Sequence, residues 1–526
     1  MKPAWCKKLL SLAVSAVLTV GMLSMAAFAE GNSETVIKLF HTNDVHSRYD
    51  AVVEDDGTLG SFGYARLKTL IDSNSGGADG VFVFDAGDTF HGQPFATLNR
   101  GSSISALMKA VGYNAMVAGN HDFNYGYRRT PTLAYLAQVK LLGANVLKKS
   151  DGTIADGFAE YQFYKVNGVK IGVFGLSTPE TAYKTNPKNV DAVQFADPVK
   201  TAKQVVKKLR EKQADVVICL AHLGIDEASG KNTSTYLAQN VDGIDLIIDG
   251  HSHSTPDSYQ KVNDTVITSA GEYMEYVGMV TIEVDADKKV SVNADAFKAS
   301  DFKADALKPD AKVQTMIDRV KKAQEPRLNA VVASAPEVLD GERENVRTGE
   351  TNLSRLVASA MLKESGADIA MTNGGGIRAS IDAGPITVGE VQTVLPFGNY
   401  IVTVQLTGKE VREAVEHGLP GLANGSLEVI GNKIQAAGLE VTYDPSKPAG
   451  SRIVTITHNG EKIIDSKTYL VATNDFMAAG GDDYTMLNKK VVNEFAALDE
   501  AVIHYLNEEG SKGISEISNE SRIVRI

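Results

Sequence analysis

Five short stretches of this sequence carry side chains suited to holding metal ions. They are Asp44-Val45-His46, Gly87-Asp88, Gly119-Asn120-His121-Asp122, Ala221-His222 and Gly250-His251-Ser252-His253. One D-x-H, or one His after an apolar run, is an ordinary core feature. Five such clusters, each directly after its own apolar run, form a pattern that points to a common site. Two carboxylates, an amide and several imidazoles are hard and borderline donors, suited to Zn, Mn, Fe or Co rather than to the all-oxygen shell of Ca. They exceed what one tetrahedral ion takes. They fit two ions about 3.5–4 Å apart that share a bridging carboxylate.

A second set lies further along. Arg343 and Arg347 precede Asn373-Gly374-Gly375-Gly376-Ile377-Arg378, where the glycines permit close backbone approach and a guanidinium can fork onto an oxyanion. Pro396-Phe397-Gly398-Asn399 and the stretch from Asn474 to Asp482, which contains Phe476, each place a Phe beside glycines in a loop. A loop Phe is usually a core plug. Two of them flanking an arginine cluster suit a planar ring held between two faces.

The elements that must position these groups are legible as apolar runs. Val36 to Phe40, Val81 to Phe84, Ala115 to Ala118, Val216 to Leu220 and Leu246 to Ile248 read as buried strands alternating with longer amphipathic segments. Ligand sites at the carboxyl ends of strands are the rule for α/β sheets. Val313, Met316, Ile317 and Val320 fall at helical spacing between Pro309 and Pro326, which predicts one helix with a proline at each end and a domain boundary there. Beyond it, strand runs at 369–372, 400–406, 453–457 and 469–473, with helices at 353–364 and 409–417, predict a second α/β unit. Asn459-Gly460 predicts a hairpin turn.

Composition sets the outer bounds. The chain has 526 residues and 53 Lys plus Arg against 65 Asp plus Glu, a net charge of -12, so extended nucleic-acid binding is excluded and an anionic ligand needs a locally basic pocket. Lys2, Lys7 and Lys8 precede an apolar stretch that ends in Ala27-Phe28-Ala29, which predicts a cleaved signal peptide over residues 1–29. The expected protein is secreted, periplasmic or attached at the cell surface, with no transmembrane segment in its mature chain. Cys219 is then the single mature cysteine and cannot form an internal disulfide. Nothing in the sequence sets the oligomeric state.

In this order, D-x-H, G-D, G-N-H-D, H and G-H-S-H resemble the calcineurin-like metallophosphoesterases. The resemblance implies two divalent ions, Zn, Mn or similar, one on Asp44, His46, Asp88 and His253 and the other on Asp88, Asn120, His222 and His251. His121 would then sit over the phosphoryl group. The later segments resemble the C-terminal domain of bacterial 5'-nucleotidases and UDP-sugar hydrolases. That implies phosphate binding by Arg343, Arg347 and Arg378, a base held between Phe397 and Phe476, and polar contacts to base or ribose from Asn399 and Asp482.

The implied architecture is a four-layer αββα metallophosphoesterase domain over 30–302, a linker helix over 303–328 and a C-terminal α/β nucleotide-binding domain over 329–526. The implied function is an exported phosphohydrolase that releases phosphate from nucleotides by attack of a metal-activated hydroxide, extending to UDP-sugars. One departure stands out. Where 5'-nucleotidases place an Asp that pairs with the histidine, this chain has Asn124, as in the 2',3'-cyclic-nucleotide phosphodiesterase/3'-nucleotidase branch. That activity, and a non-catalytic nucleotide-binding surface protein, are the alternatives.

Overall fold

The computed structural model describes residues 34–526 except 186, 227–228 and 260, so the expected signal peptide lies outside the described residues. Two sheets form the centre of the N-terminal half. The first runs in the order Val290–Lys298, Tyr276–Val284, Thr35–Thr42, Gly80–Asp85, Ala115–Val117, Lys140–Leu142, with its last four strands mutually parallel. The second runs Val266–Thr268, Leu246–Ile248, Val216–His222, Val169–Ser177, Tyr161–Val166, parallel except at its last strand.

Ile37, Leu39, Phe84 and Val117 from the first sheet interlock with Ile171, Val173, Ile218 and Ile248 from the second in a dry layer between them. The opposite faces are covered too. Phe40 and Val83 pack under the helices Gly63–Asn74, Ser102–Val111 and Arg129–Ala137. Phe174, Val217 and Cys219 pack under Pro198–Glu211 and Ser234–Asn240. Burial on both faces is why these strands read as unbroken apolar runs rather than alternating ones. The result is a four-layer αββα sandwich.

Asp310 caps the connecting helix Ala311–Leu328, its carboxylate accepting from the amides of Lys312 and Val313 at 3.0 and 2.9 Å. Val313 and Ile317 are buried against the N-terminal core, with Met316 and Val320 beside them. Proline was expected at each end, but Pro326 lies inside the last turn. The turn is held from outside: Gln324 donates to the Phe95 carbonyl at 2.8 Å and Arg327 to that of Leu98. Those tertiary bonds keep helical a segment that a proline would otherwise end.

The C-terminal half is built on a sheet ordered Ile434–Ala437, Ile369–Asn373, Thr468–Asn474, Tyr400–Thr407, Val491–Ala497. The helices Asn352–Ser365 and Leu498–Ser518 cover one face and Gly408–His417 the other. A smaller sheet carries the hairpin turn, where Asn459 and Gly460 adopt φ of 52° and 77° as a two-residue primed turn requires.

Candidate metal centre and nucleotide pocket

Every predicted metal donor lies at or just beyond the carboxyl end of a parallel strand. Asp44 and His46 follow Thr35–Thr42, Asp88 follows Gly80–Asp85, Asn120 follows Ala115–Val117, His222 ends Val216–His222, and His251 and His253 follow Leu246–Ile248. Because the two sheets stack face to face, donors from both converge at one edge of the sandwich.

The local backbone is unusual. Asp44, His46, Asp88, His251 and His253 have φ of 49°, 44°, 56°, 83° and 52°, a left-handed conformation that non-glycine residues hold at a cost of roughly 1–3 kcal/mol each. Glycines fill the gaps between them. A Cβ on Gly119 would stand 2.2 Å from Asp88 Oδ1, and one on Gly250 would stand 2.9 Å from Asp44 Oδ2. Asp122 ties the loops together: its carboxylate accepts from the amides of Asp88, Thr89, Phe90 and Gly119 at 2.9–3.0 Å.

Asp44, His46 and His253 offer donor atoms all within 4.8 Å of one another, and so do Asp88, His222 and His251. His121 forms a third such group with His46 and Asp88. His46 Nε2 and His253 Nε2 face each other at 3.1 Å. Asn120 donates through Nδ2 to the Lys184 carbonyl at 2.8 Å, leaving its Oδ1 buried with no partner among the described residues. His222 donates from Nδ1 to the Ala86 carbonyl at 2.7 Å. Its Nε2 then lies 3.1 Å from Asp88 Oδ2, close enough for ion pairing but without hydrogen-bond geometry.

The electrostatics differ from donor to donor. Burial raises the Asp44 carboxyl, whereas at Asp88 His222 and His121 outweigh burial and hold the carboxyl well below the usual range. Burial also lowers His46 well below its ordinary value and His251 to about 3, favouring the neutral imidazoles that bind metals, whereas against burial the carboxylate of Asp88 raises His222 to about 10 and that of Asp44 raises His253 to about 9. Buried carboxylates, imidazole nitrogens and an orphaned amide oxygen in neighbouring loops are the donor types divalent cations require.

His121 sits beside this centre. Its amide donates to Asp88 Oδ1 at 2.7 Å, and its Nδ1 lies 3.3 Å from Asn124 Nδ2. Its ring stacks on Tyr400 of the C-terminal half, with centroids 4.0 Å apart.

Of the predicted substrate residues, Arg347, Phe397, Asn399, Phe476 and Asp482 line one cavity of about 490 Å³. Phe397 and Phe476 are 49% and 45% exposed, so neither is a core plug. Arg378 stands at the rim, its guanidinium 5.6 Å from the centroid of Phe397. Arg343 is exposed and not among the lining residues, although its charge, after burial, is the largest influence lowering Arg347. Asn399 already donates to Asp475 at 2.7 Å, and Asp482 accepts from Asn373 at 2.7 Å.

Sequence reasoning missed Arg48 and Tyr273, which line the same cavity from the N-terminal half. Arg48 carried a signal, two residues past His46; Tyr273 carried none. Also missed were Glu180 and Lys184, whose carboxylate and ammonium lie 3.1 and 3.3 Å from His251 Nε2. They follow the strand Val169–Ser177, so the rule that placed the other loops would have found them.

Two family models match the chain: calcineurin-like phosphoesterase over residues 37–255 and 5'-nucleotidase C-terminal domain over 331–489. Protein UshA of Yersinia enterocolitica is 31% identical over 497 residues, covering 86% of this chain and 87% of that one. The trifunctional nucleotide phosphoesterase YfkN of Bacillus subtilis is 34% identical over 504 residues, but this chain spans only 32% of its length. Among solved structures, a 5'-nucleotidase precursor from Thermus thermophilus is 31% identical with a TM-score of 0.57, covering 93% of this chain and 99% of that one. With its donors, fold and both domain models in agreement, the chain belongs to the 5'-nucleotidase family of metal-dependent phosphohydrolases.

Proposed function

We propose that this chain is an exported phosphohydrolase that uses two divalent ions to release phosphate from nucleotides, with 5'-nucleotides as its main substrates and UDP-sugars as a further class. The division into 30–302, 303–328 and 329–526 belongs to this reading. One ion would be held by Asp44, His46, Asp88 and His253, the other by Asp88, Asn120, His222 and His251. When bound, such a pair supplies Lewis-acid charge that activates water and offsets charge on the phosphoryl oxygens. Asp88 would be common to the two sets, and it accepts from the His121 amide. His121, steadied by Asn124, faces the phosphoryl group. Arg343, Arg347 and Arg378 attract the anionic part of the substrate, Phe397 and Phe476 hold its base, and Asn399 and Asp482 contact base or ribose. The pocket residues must reach substrate partly by exchanging their present hydrogen bonds.

The observation that carries this reading is Tyr273. It lines the nucleotide cavity, and its ring lies 5.7 Å from that of His46 and 6.2 Å from that of His253. Pocket and donor set therefore share a wall, which sets a nucleotide in this cavity beside the metal side.

A second reading, 2',3'-cyclic-nucleotide phosphodiesterase with 3'-nucleotidase activity, is favoured by one contact: the loop partner of His121 is the Asn124 amide rather than a carboxylate. Phosphate release from AMP, 3'-AMP, 2',3'-cyclic AMP, UDP-glucose and ADP, with Mn or Zn added, decides. Activity on AMP and UDP-glucose supports the first reading and activity confined to 3'-AMP and the cyclic nucleotide supports the second. Nucleotide binding without release from any of them overturns both.

A further inference from the structure

His121 is held from both halves of the molecule. Asn124 reaches its Nδ1 from its own loop, and Glu494 Oε1, on the strand Val491–Ala497 of the C-terminal half, lies 3.3 Å from the same nitrogen. Glu494 is buried, and its Oε1 has no well-aligned hydrogen-bond partner among the described residues. A buried carboxyl oxygen left unpartnered is costly, and the His121 imidazole is a polar group within reach of this one.

The two neighbours of Nδ1 are not equivalent. Asn124 Oδ1 is taken by the Thr185 hydroxyl at 2.7 Å, so only the N–H side of the amide turns to the ring. It can serve a bare Nδ1 but cannot accept from Nδ1–H. A carboxyl can accept from Nδ1–H when ionised and donate to a bare Nδ1 when protonated, so Glu494 serves either tautomer. An imidazole that presents one nitrogen to a reacting group needs the other held, since that bond fixes ring orientation and tautomer.

The halves are pinned together at the same place. His91, just past Asp88, meets the Tyr400 hydroxyl at 2.8 Å through Nδ1 and Glu500 at 3.3 Å through Nε2.

We propose that Glu494 is a positioning residue for His121, delivered by the C-terminal domain, so that the histidine is fully held only when the two domains are apposed as they are here. The proposal rests on the phosphohydrolase reading. Its consequence is that the C-terminal domain completes the chemical site as well as binding the base.

The test uses the full chain loaded with Mn and p-nitrophenyl phosphate, which has no base to recognise. Glu494→Ala should lower kcat by about 10–100-fold with KM within about twofold and metal content unchanged, and Glu494→Asp should recover part of the loss. The isosteric Glu494→Gln guards against misfolding, with its melting temperature as the check. A second readout needs no turnover. The ring nitrogen resonances of His121 in the Zn-loaded chain, assigned with His121→Gln, should shift in Glu494→Gln. Unshifted resonances or an unchanged kcat overturn the proposal. A rise in kcat also overturns it, because Glu494 would then be a plug over the site. If the chain hydrolyses no phosphoester at all, the functional reading fails while the ring resonances still decide the contact.

Discussion

Asp88 is the residue on which most of the site converges, since its carboxylate meets the His121 amide at 2.7 Å and His222 Nε2 at 3.1 Å. Asp88→Asn keeps the shape and removes the charge. Because even an outer partner of a metal ligand carries about 10–100-fold, turnover should fall by at least that much, mainly in kcat. Metal analysis should find fewer than two ions per chain, and two tightly bound ions with normal turnover would refute the bridging role. The phenylalanines make a different prediction. Phe397→Ala or Phe476→Ala should weaken AMP by about 1–3 kcal/mol while leaving p-nitrophenyl phosphate nearly untouched, because only AMP has a base to stack. Equal losses on both substrates would make these rings structural. Arg378→Ala should impair both.

At the scale of elements, the strand-to-loop joints carry the site and tolerate little. Gly119→Ala would drive a methyl to 2.2 Å from Asp88 Oδ1 between two buried loops, so metal affinity and melting temperature should drop together. A normal metal titration would show that the loops can yield. Lys433, under the Gly374–Gly376 turn, predicts a pH effect. It is wholly buried, its Nζ donating to the Ile434 carbonyl at 2.6 Å, and burial lowers it to about 8. Below pH 8 the fold bears the full penalty of confining a charge. That penalty fades as pH rises from 8 towards the ordinary lysine value, since the folded state loses its proton first. The stability advantage of Lys433→Met in urea unfolding should therefore be largest at pH 7 and shrink by pH 10; a constant gap would refute the assignment. These cases show what was legible in the sequence. The runs before Asp44, Asp88, Asn120, His222 and His251 announced strands because both of their faces are buried, and the residues that followed announced the donors. The path of the helix through Pro326 was not legible, because bonds from Gln324 and Arg327 to the short helix Pro94–Thr97 and its cap, far off in sequence, decide it.

At the scale of the whole molecule, the least legible residues are those whose role depends on the two halves meeting. Nothing local marks Tyr273, Tyr400 or Glu494, for their contacts with His46 and His121 cross more than two hundred residues of sequence. His91 tests that arrangement: His91→Leu removes its contacts with Tyr400 and Glu500. Small-angle scattering should then report a larger radius of gyration, and kcat should fall for every phosphoester. An unchanged envelope would show that the remaining contacts suffice. The left-handed backbone at Asp44, His46, Asp88, His251 and His253 has a consequence for how the protein matures. Each of those turns opposes folding until something rewards it, and a ligand that binds only the folded state stabilises by about 4 kcal/mol at a thousand times its dissociation constant. If the chain is exported unfolded, as the proposed function has it, its N-terminal half would be completed on the far side of the membrane, at a rate and yield set by the trace metals there. Refolding in a chelator should be slow or incomplete and should recover when Zn or Mn is restored.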